Sequence, residues 1–184
     1  MNVVFIGPPY AGKGTQTELL SKKLFIPVYS MGALIRQAYE KKDPRAIEGF
    51  ENYSLKGKHL PTRLKFPFLK EKLNNSSEGF ILDNFPATEE DLQEFNNYLN
   101  RHNEKIDKVI HLHVSEKEMY RRMQSRGRKD DNLGIIEARR ENQDKDRIPV
   151  LEFYRNQGIL EEIDGERDIN EVHKDIVNKL GIQA

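Results

Sequence analysis

Gly7-Pro8-Pro9-Tyr10-Ala11-Gly12-Lys13-Gly14-Thr15 follows directly on the apolar run Val3-Val4-Phe5-Ile6 and leads into a segment carrying Leu19 and Leu20. A short buried strand, a glycine-rich turn and a helix, in that order, make a phosphate cradle of the form G-x-x-x-x-G-K. Gly7 and Gly12 let the backbone turn its N–H groups inward on phosphate oxygens. Lys13 brings a positive point charge to the same place, and the following helix aims its partly positive N-terminus at the anion. An ordinary glycine-rich turn is the competing reading, and the flanking strand and helix weigh against it. The strict motif has Ser or Thr directly after the Lys, to reach Mg²⁺. Here Gly14 stands there and Thr15 comes next, which narrows the kind of protein this is.

Composition bounds the rest. A chain of 184 residues with 36% hydrophobic content is large enough to form one domain that buries most of its apolar surface. Its 30 basic and 30 acidic residues cancel, leaving no net field to favour a nucleic acid backbone or an anionic membrane. Neither is expected as a partner, so any anion site must be local. There is no cysteine, which excludes disulfides and thiolate metal sites. The apolar runs are only a few residues long, so neither a signal peptide nor a transmembrane helix is expected, and the cytoplasm is the default location.

Strand and helix signals alternate along the chain. Strands are expected at Val3–Ile6, Ile26–Tyr29, Phe80–Leu82, Lys108–Val114 and Leu160–Ile163. Ser30 is expected to cap a helix through Leu34, Ile35 and Ala38, and Asp43-Pro44 to open another. Thr62 to Leu73 reads as a helix that Pro67 should interrupt or kink, and a long polar helix over 132–157 has Pro149 as its kink. Thr88 to Asp91 and Ser115 to Glu118 resemble capping boxes, and Ile169–Leu180 reads as the last helix. Together these predict an α/β fold with a doubly wound, parallel, five-stranded sheet. In such sheets ligands sit at the carboxyl ends of the strands, here after Ile6, Tyr29, Leu82 and Val114. His111 and His113 share one face of a strand; packing is the expected reading, since a metal would need further ligands.

Four motifs in order carry a resemblance. Gly7-x-Pro9-x-x-Gly12-Lys13-Gly14-Thr15-Gln16 resembles the opening of the adenylate kinase family, the nucleoside monophosphate kinases. Ser30-x-Gly32-x-Leu34-Ile35-Arg36 is similar to the start of that family's acceptor-binding helices. Gly79-Phe80-Ile81-Leu82-Asp83-Asn84-Phe85-Pro86 resembles its Gly-Phe-Leu-Leu-Asp-Gly-Phe-Pro signature. Arg126-Gly127-Arg128-Lys129-Asp130-Asp131-Asn132, with Arg139 beyond it, resembles its basic and diacidic lid signature. The resemblance spans nearly the whole chain and implies a single P-loop kinase domain over residues 1–184. Within it, residues 30–60 would form an acceptor-binding segment and 127–138 a short lid. Arg126 and Arg128 are nearly adjacent, so the inserted lid domain of longer relatives, sometimes zinc-bearing, is not expected, nor is structural zinc.

The resemblance implies transfer of the γ-phosphoryl of ATP, carried with Mg²⁺, to a nucleoside monophosphate, AMP first among them. Such chemistry is mostly positioning, charge neutralisation and exclusion of water. Lys13, Arg122, Arg128 and Arg139 are implied as catalytic. Gly7, Pro8, Tyr10, Ala11, Gly12, Lys13, Gly14, Thr15, Arg122 and Arg126 would bind ATP. Met31, Gly32, Arg36, Leu60, Asn84, Ala87, Asp91, Arg128 and Arg139 would bind the acceptor. Asp83 would organise Mg²⁺ through its water shell. Arg121 reads as a solvated helix face, Asp130 and Asp131 either as functional or as only pairing with the lid arginines and setting hinge geometry, and a monomer is expected.

The departures gather on the acceptor side. Ala87 stands where the family has an acceptor-phosphate Arg, a charge-assisted contact contributing roughly 1.5–3 kcal/mol. Asp91 stands where adenylate kinases have a base-reading Gln; an ionised carboxylate can only accept. Either Asp91 faces the base, favouring guanine, or it caps the helix begun at Thr88. Met31 replaces a usual Thr, Ala33 a frequent Asp, Tyr10 a loop Gly and Asn84 the Gly before Phe85. Lys58, Arg63 or another cation is expected to substitute for the missing Arg if the chain is an active kinase. The alternative is a weakly active or non-catalytic nucleotide-binding protein. Another P-loop small-molecule kinase is disfavoured by the Asp83–Pro86 signature.

Overall fold

Alternation along the first strand decides how the layers form. A computed structural model of the chain describes residues 1–76, 78–126 and 133–182, without the side chains of residues 126, 133–136, 138, 139 and 141. In it β1 (Asn2–Ile6) lies at the centre of a five-stranded sheet of order β2-β3-β1-β4-β5, with every neighbouring pair parallel. The other strands are β2 (Val28–Ser30), β3 (Phe80–Asp83), β4 (Lys108–His113) and β5 (Leu160–Asp164). Successive strand side chains leave on opposite faces, so Val4 and Ile6 join one apolar cluster while Val3 and Phe5 join the other.

The first face is covered by α2 (Met31–Glu40), α4 (Thr62–Leu73), α5 (Glu89–His102) and α7 (Leu133–Asn156), through residues such as Ile35, Leu69, Phe95 and Tyr154. The second is covered by α1 (Lys13–Leu24) and α8 (Ile169–Lys179), through Leu20, Val172 and Ile176. α3 (Pro44–Asn52), a single 3-10 turn at Ser54–Lys56 and α6 (Glu116–Arg126) complete the described elements. A parallel sheet covered by helices on both faces is the expected doubly wound fold. The connection leaving β1 runs to β2 on one side and the connection leaving β3 crosses to β4 on the other, so they diverge and open a crevice at the carboxyl ends of β1 and β3.

Several local expectations are corrected. The second strand begins at Val28 and takes in Ser30, whose side chain makes no capping bond to α2. Pro67 does not interrupt α4, and α7 continues through Pro149 as the long helix expected there. The bond each proline removes is offset by packing, since Phe66, Leu69 and Leu73 are buried around the first, and Val150, Leu151 and Tyr154 beyond the second. Thr88 Oγ1 accepts from the Asp91 N–H at 3.1 Å, but the Asp91 carboxylate does not return the bond to Thr88; it accepts from the Ala87 N–H at 3.0 Å. Among the described helices none is long and apolar enough to cross a membrane.

Candidate active site

The loop after β1 is shaped by its glycines. A side chain at Gly7 would run into the Leu112 carbonyl of β4, so the backbone approaches the next strand as only glycine allows. Gly12 sits at the N-terminus of α1 with φ 94°, in the left-handed region. Tyr10 occupies that region too, with φ 63°, as does Asn84 with φ 61°, which explains physically why glycine suits both positions. Asn tolerates this backbone; Tyr does not readily. The Tyr10 side chain packs against Met119 and Met123 of α6, which offsets part of the strain.

Lys13 Nζ donates to the carbonyls of Gly7 and Pro8, each at 2.8 Å, and so is held over the loop. At the end of β3 the Asp83 Oδ1 is buried and makes no hydrogen bond. Arg122 reaches across from α6: its Nη2 donates to the Gly165 carbonyl at 2.7 Å and its Nη1 to the Tyr10 carbonyl at 3.3 Å. Glu118, one turn earlier, accepts from Arg122 Nε at 2.6 Å and from both Nε and Nη2 of Arg121. These hydrogen bonds, Arg121 first and Arg122 next, pull the Glu118 carboxyl down to about 2. Glu118 therefore stays ionised and orients Arg122.

Loop, Asp83 and Arg122 line one side of a cleft of about 1770 Å³. Ser30, Met31, Gly32, Ile35 and Arg36 line the facing side, with Tyr39, Phe50, Lys58, His59, Leu60, Lys65, Asn84 and Ala87. The Arg36 guanidinium folds over Gly32: its Nη1 would be 3.2 Å from a Cβ placed there. Burial, with Lys65 and Arg147 adding to it, drives the His59 ring down to about 3, so it is uncharged.

Most expected site residues meet in this cleft. Gly7, Tyr10, Ala11, Gly12, Lys13, Gly14, Thr15, Met31, Gly32, Arg36, Leu60, Asp83, Asn84, Ala87 and Arg122 all line it. Pro8 contributes its carbonyl to Lys13, and its neighbour Pro9 takes the lining position. Arg63, considered as a replacement cation, lies on the surface paired with Glu48 at 2.6 Å. Asp91 lies one layer behind the wall. It is fully buried, and its carboxylate accepts from Thr62 Oγ1 at 2.6 Å, from the Ala87 N–H at 3.0 Å and from Lys65 Nζ at 2.7 Å. The side chains of Arg126, Arg128 and Arg139, the pair Asp130 and Asp131, and the first half of the expected lid, residues 127–132, lie outside the described residues.

Two residues escaped the sequence reading. Lys65 belonged to no motif; its signal was a lone cation in the apolar stretch Leu64-Lys65-Phe66-Pro67-Phe68-Leu69. Glu118 was visible through its i, i+3 and i, i+4 spacing to Arg121 and Arg122. The His111 ring is partly buried, and burial, with the Arg147 charge second, lowers it to about 4. Among the described residues no three His, Cys, Asp or Glu side chains cluster as metal ligands would.

A parallel sheet with a phosphate loop at its switch point, facing a second arm across an open cleft, defines a P-loop nucleotide phosphotransferase. The family model described as adenylate kinase matches residues 5–159. An adenylate kinase of Prochlorococcus marinus is 34% identical over 179 residues, covering 97% of this chain and 98% of the relative. Adenylate kinases of Staphylococcus aureus and Clostridium tetani are 30% identical over 213 and 214 positions, covering 98% of this chain and 99% of each relative. Those alignments are longer than the 184 residues of this chain, so both relatives carry residues that it lacks. The chain belongs to the adenylate kinase family and is an ATP-dependent nucleoside monophosphate phosphotransferase.

Proposed function

We propose that this chain transfers the γ-phosphoryl of ATP, bound with Mg²⁺ over the glycine-rich loop, to AMP bound against α2, α3 and the loop after β3. The observation that carries the reading is the cleft itself. Its volume of about 1770 Å³ exceeds the roughly 300–1,000 Å³ typical of a site for one small ligand, and cationic groups stand on both sides of it.

The loop N–H groups and Lys13 take the donor phosphates. The Lys13 ammonium exchanges its contacts with the Gly7 and Pro8 carbonyls for phosphate oxygens. Asp83 fits a hydrated divalent cation, because its Oδ1 is buried, unpartnered and beside the loop. When bound, Mg²⁺ supplies charge neutralisation between the phosphates. Arg122, aimed by Glu118, presents its guanidinium plane above the loop for the donor base. Arg36 takes the acceptor phosphate. An acceptor phosphate oxygen attacks the γ-phosphorus, and the bond to the β,γ-bridging oxygen breaks, leaving ADP. Arg126, Arg128 and Arg139, on and beside the short lid of residues 127–138, close on the transferring group and keep water out. Ala87 leaves the acceptor phosphate one cation short, so the acceptor KM should be high.

The test is a coupled assay of the chain with ATP, Mg²⁺ and each common nucleoside monophosphate, with ADP formation checked by ³¹P NMR. ADP formed only when AMP or another monophosphate is present supports the reading. ATP binding without transfer to any monophosphate would contradict it.

A further inference from the structure

We propose that Lys65, held in place by Asp91, reads the base of the acceptor nucleotide and biases the site toward a 6-oxo purine relative to the 6-amino purine of AMP. The inference rests on the phosphotransferase reading above and adds the group that tells one acceptor base from another.

Three observations converge on Lys65. Its side chain is 3% exposed, yet the residue lines the cleft, so Lys65 is embedded in the wall that borders the space a ligand would fill. Its surroundings are mixed: Met31, Ile35 and Leu60 line the same cleft, the Phe85 ring centroid is 5.9 Å from Nζ, and the uncharged His59 ring lies close enough to feel its charge. Its charge is met by Asp91 Oδ2 at 2.7 Å. An ammonium carries three donors and no acceptor, so this contact engages one of them.

Asp91 itself has little capacity left. Oδ1 accepts from Thr62, and Oδ2 from both Lys65 and the Ala87 N–H. A carboxylate committed to three donors and fully buried behind the wall acts by fixing Lys65, and it is Lys65 that meets the ligand. Asp91 is thus a positioning residue. The group it offers the cleft through Lys65 is of opposite polarity to its own: a donor where the carboxylate would have been an acceptor.

What would such a group recognise? Transfer takes place beside Lys13 and Arg36, so the acceptor's phosphate points there and its base points away, toward the apolar end of the arm. A flat ring slides between apolar walls, and a donor-only cation at their edge favours a ring that presents a carbonyl oxygen. IMP offers O6 at the position where AMP offers an amino group, itself a donor. A buried donor that meets a matching acceptor holds that ring better than an analogue presenting a donor at the same place, so Lys65 raises IMP relative to AMP without excluding AMP.

The experiment compares kcat/KM for IMP and AMP, with saturating ATP and Mg²⁺, in the unmodified chain, in Lys65→Met and in Lys65→Met/Asp91→Asn. The double variant removes both charges, while the introduced amide keeps an oxygen for the Ala87 N–H and an NH2 that can donate to the Thr62 hydroxyl, so it tests the idea even if the single variant folds poorly. The IMP/AMP ratio should fall about tenfold or more in both variants, the scale set by one charge-assisted hydrogen bond. If both acceptors weaken by the same factor, Lys65 acts on the ribose or phosphate and the proposal is overturned. An unchanged or rising ratio overturns it as well. Calorimetric titration with IMP and AMP reads the same ratio without turnover. A chain that phosphorylates neither would sink the phosphotransferase reading, while the binding ratio would still decide the role of Lys65.

Discussion

The two sides of the cleft are built by different means. The donor side is mostly backbone: glycine-shaped carbonyls and N–H groups, one lysine resting on two carbonyls, and an arginine tied to the Tyr10 and Gly165 carbonyls. The acceptor side is mostly side chains on short helices: Met31, Ile35, Arg36, Tyr39, Phe50, Leu60 and Lys65. A backbone cradle depends on few residue identities, so its one misfit, Tyr10 at φ 63°, is absorbed by packing on α6. A side-chain wall changes with each substitution, and this chain has built a buried ion pair into it. The difference suggests that donor handling is generic here and acceptor choice particular.

The comparison can be broken most sharply through stability. Lys65→Met leaves Asp91 charged, buried and without its cation, which should lower stability by about 3–5 kcal/mol. Lys65→Met/Asp91→Asn should recover most of it. Denaturant melts of the three proteins decide; a single variant as stable as the unmodified chain would mean the pair is not a buried pair in solution.

The donor side should answer in the opposite sense. Lys13→Ala should cut turnover by roughly a hundredfold or more, the scale of one preorganised charge contact, with an unchanged melt, because Lys13 sits over a loop at the cleft edge and contributes little to the core. Turnover and circular dichroism measured together check it. A well-folded variant with near-normal turnover would remove Lys13 from the mechanism.

Ala87→Arg sharpens the acceptor side. Ala87 lines the cleft, so an arginine there would reach toward the acceptor phosphate and should lower the acceptor KM by about tenfold, leaving the KM for ATP unchanged. No change in acceptor KM would show that Lys58 or another cation already serves that phosphate.

A last effect concerns acid and sets in only below about pH 6.5. His59 on the acceptor wall and His111 in β4 are both uncharged when folded, at about 3 and about 4, against 6.5 when exposed. The unfolded chain takes up protons first as pH falls, so their contribution to stability is complete above pH 6.5 and is lost toward pH 4 for His111 and pH 3 for His59. Thermal melts over that range should show a shallower acid loss in His59→Asn/His111→Asn than in the unmodified chain. Parallel curves would place those rings in water.

Much of this was legible beforehand, and the reason differs by region. The sheet followed from short apolar runs such as Val3 to Ile6, and the donor loop from a contiguous motif, because both are local in sequence. The acceptor wall was read only in part. Arg36 and Ala87 fall in contiguous signatures, but the partnership of Lys65 with Asp91 joins α4 to α5 across 26 residues of chain, and no spacing rule announces it. Asp91 was readable as either a cap or a base reader. The fold gives the cap to Thr88, as the local pattern had it, and the carboxylate to Lys65, which the local pattern could not assign. Pro67 does not end its helix for a related reason: tertiary packing carries α4 past a local breaker.

The most direct test of two separate nucleotide sites in one cleft is calorimetric. The unmodified chain is titrated with Mg²⁺ and an ATP analogue whose β,γ-bridge cannot be cleaved, and the saturated protein is then titrated with AMP. The account predicts one analogue bound per chain, then one AMP bound without displacing it, with the AMP step altered by Lys65→Met and the analogue step left unchanged. AMP that competes with the analogue, or fails to bind the saturated protein, would contradict it.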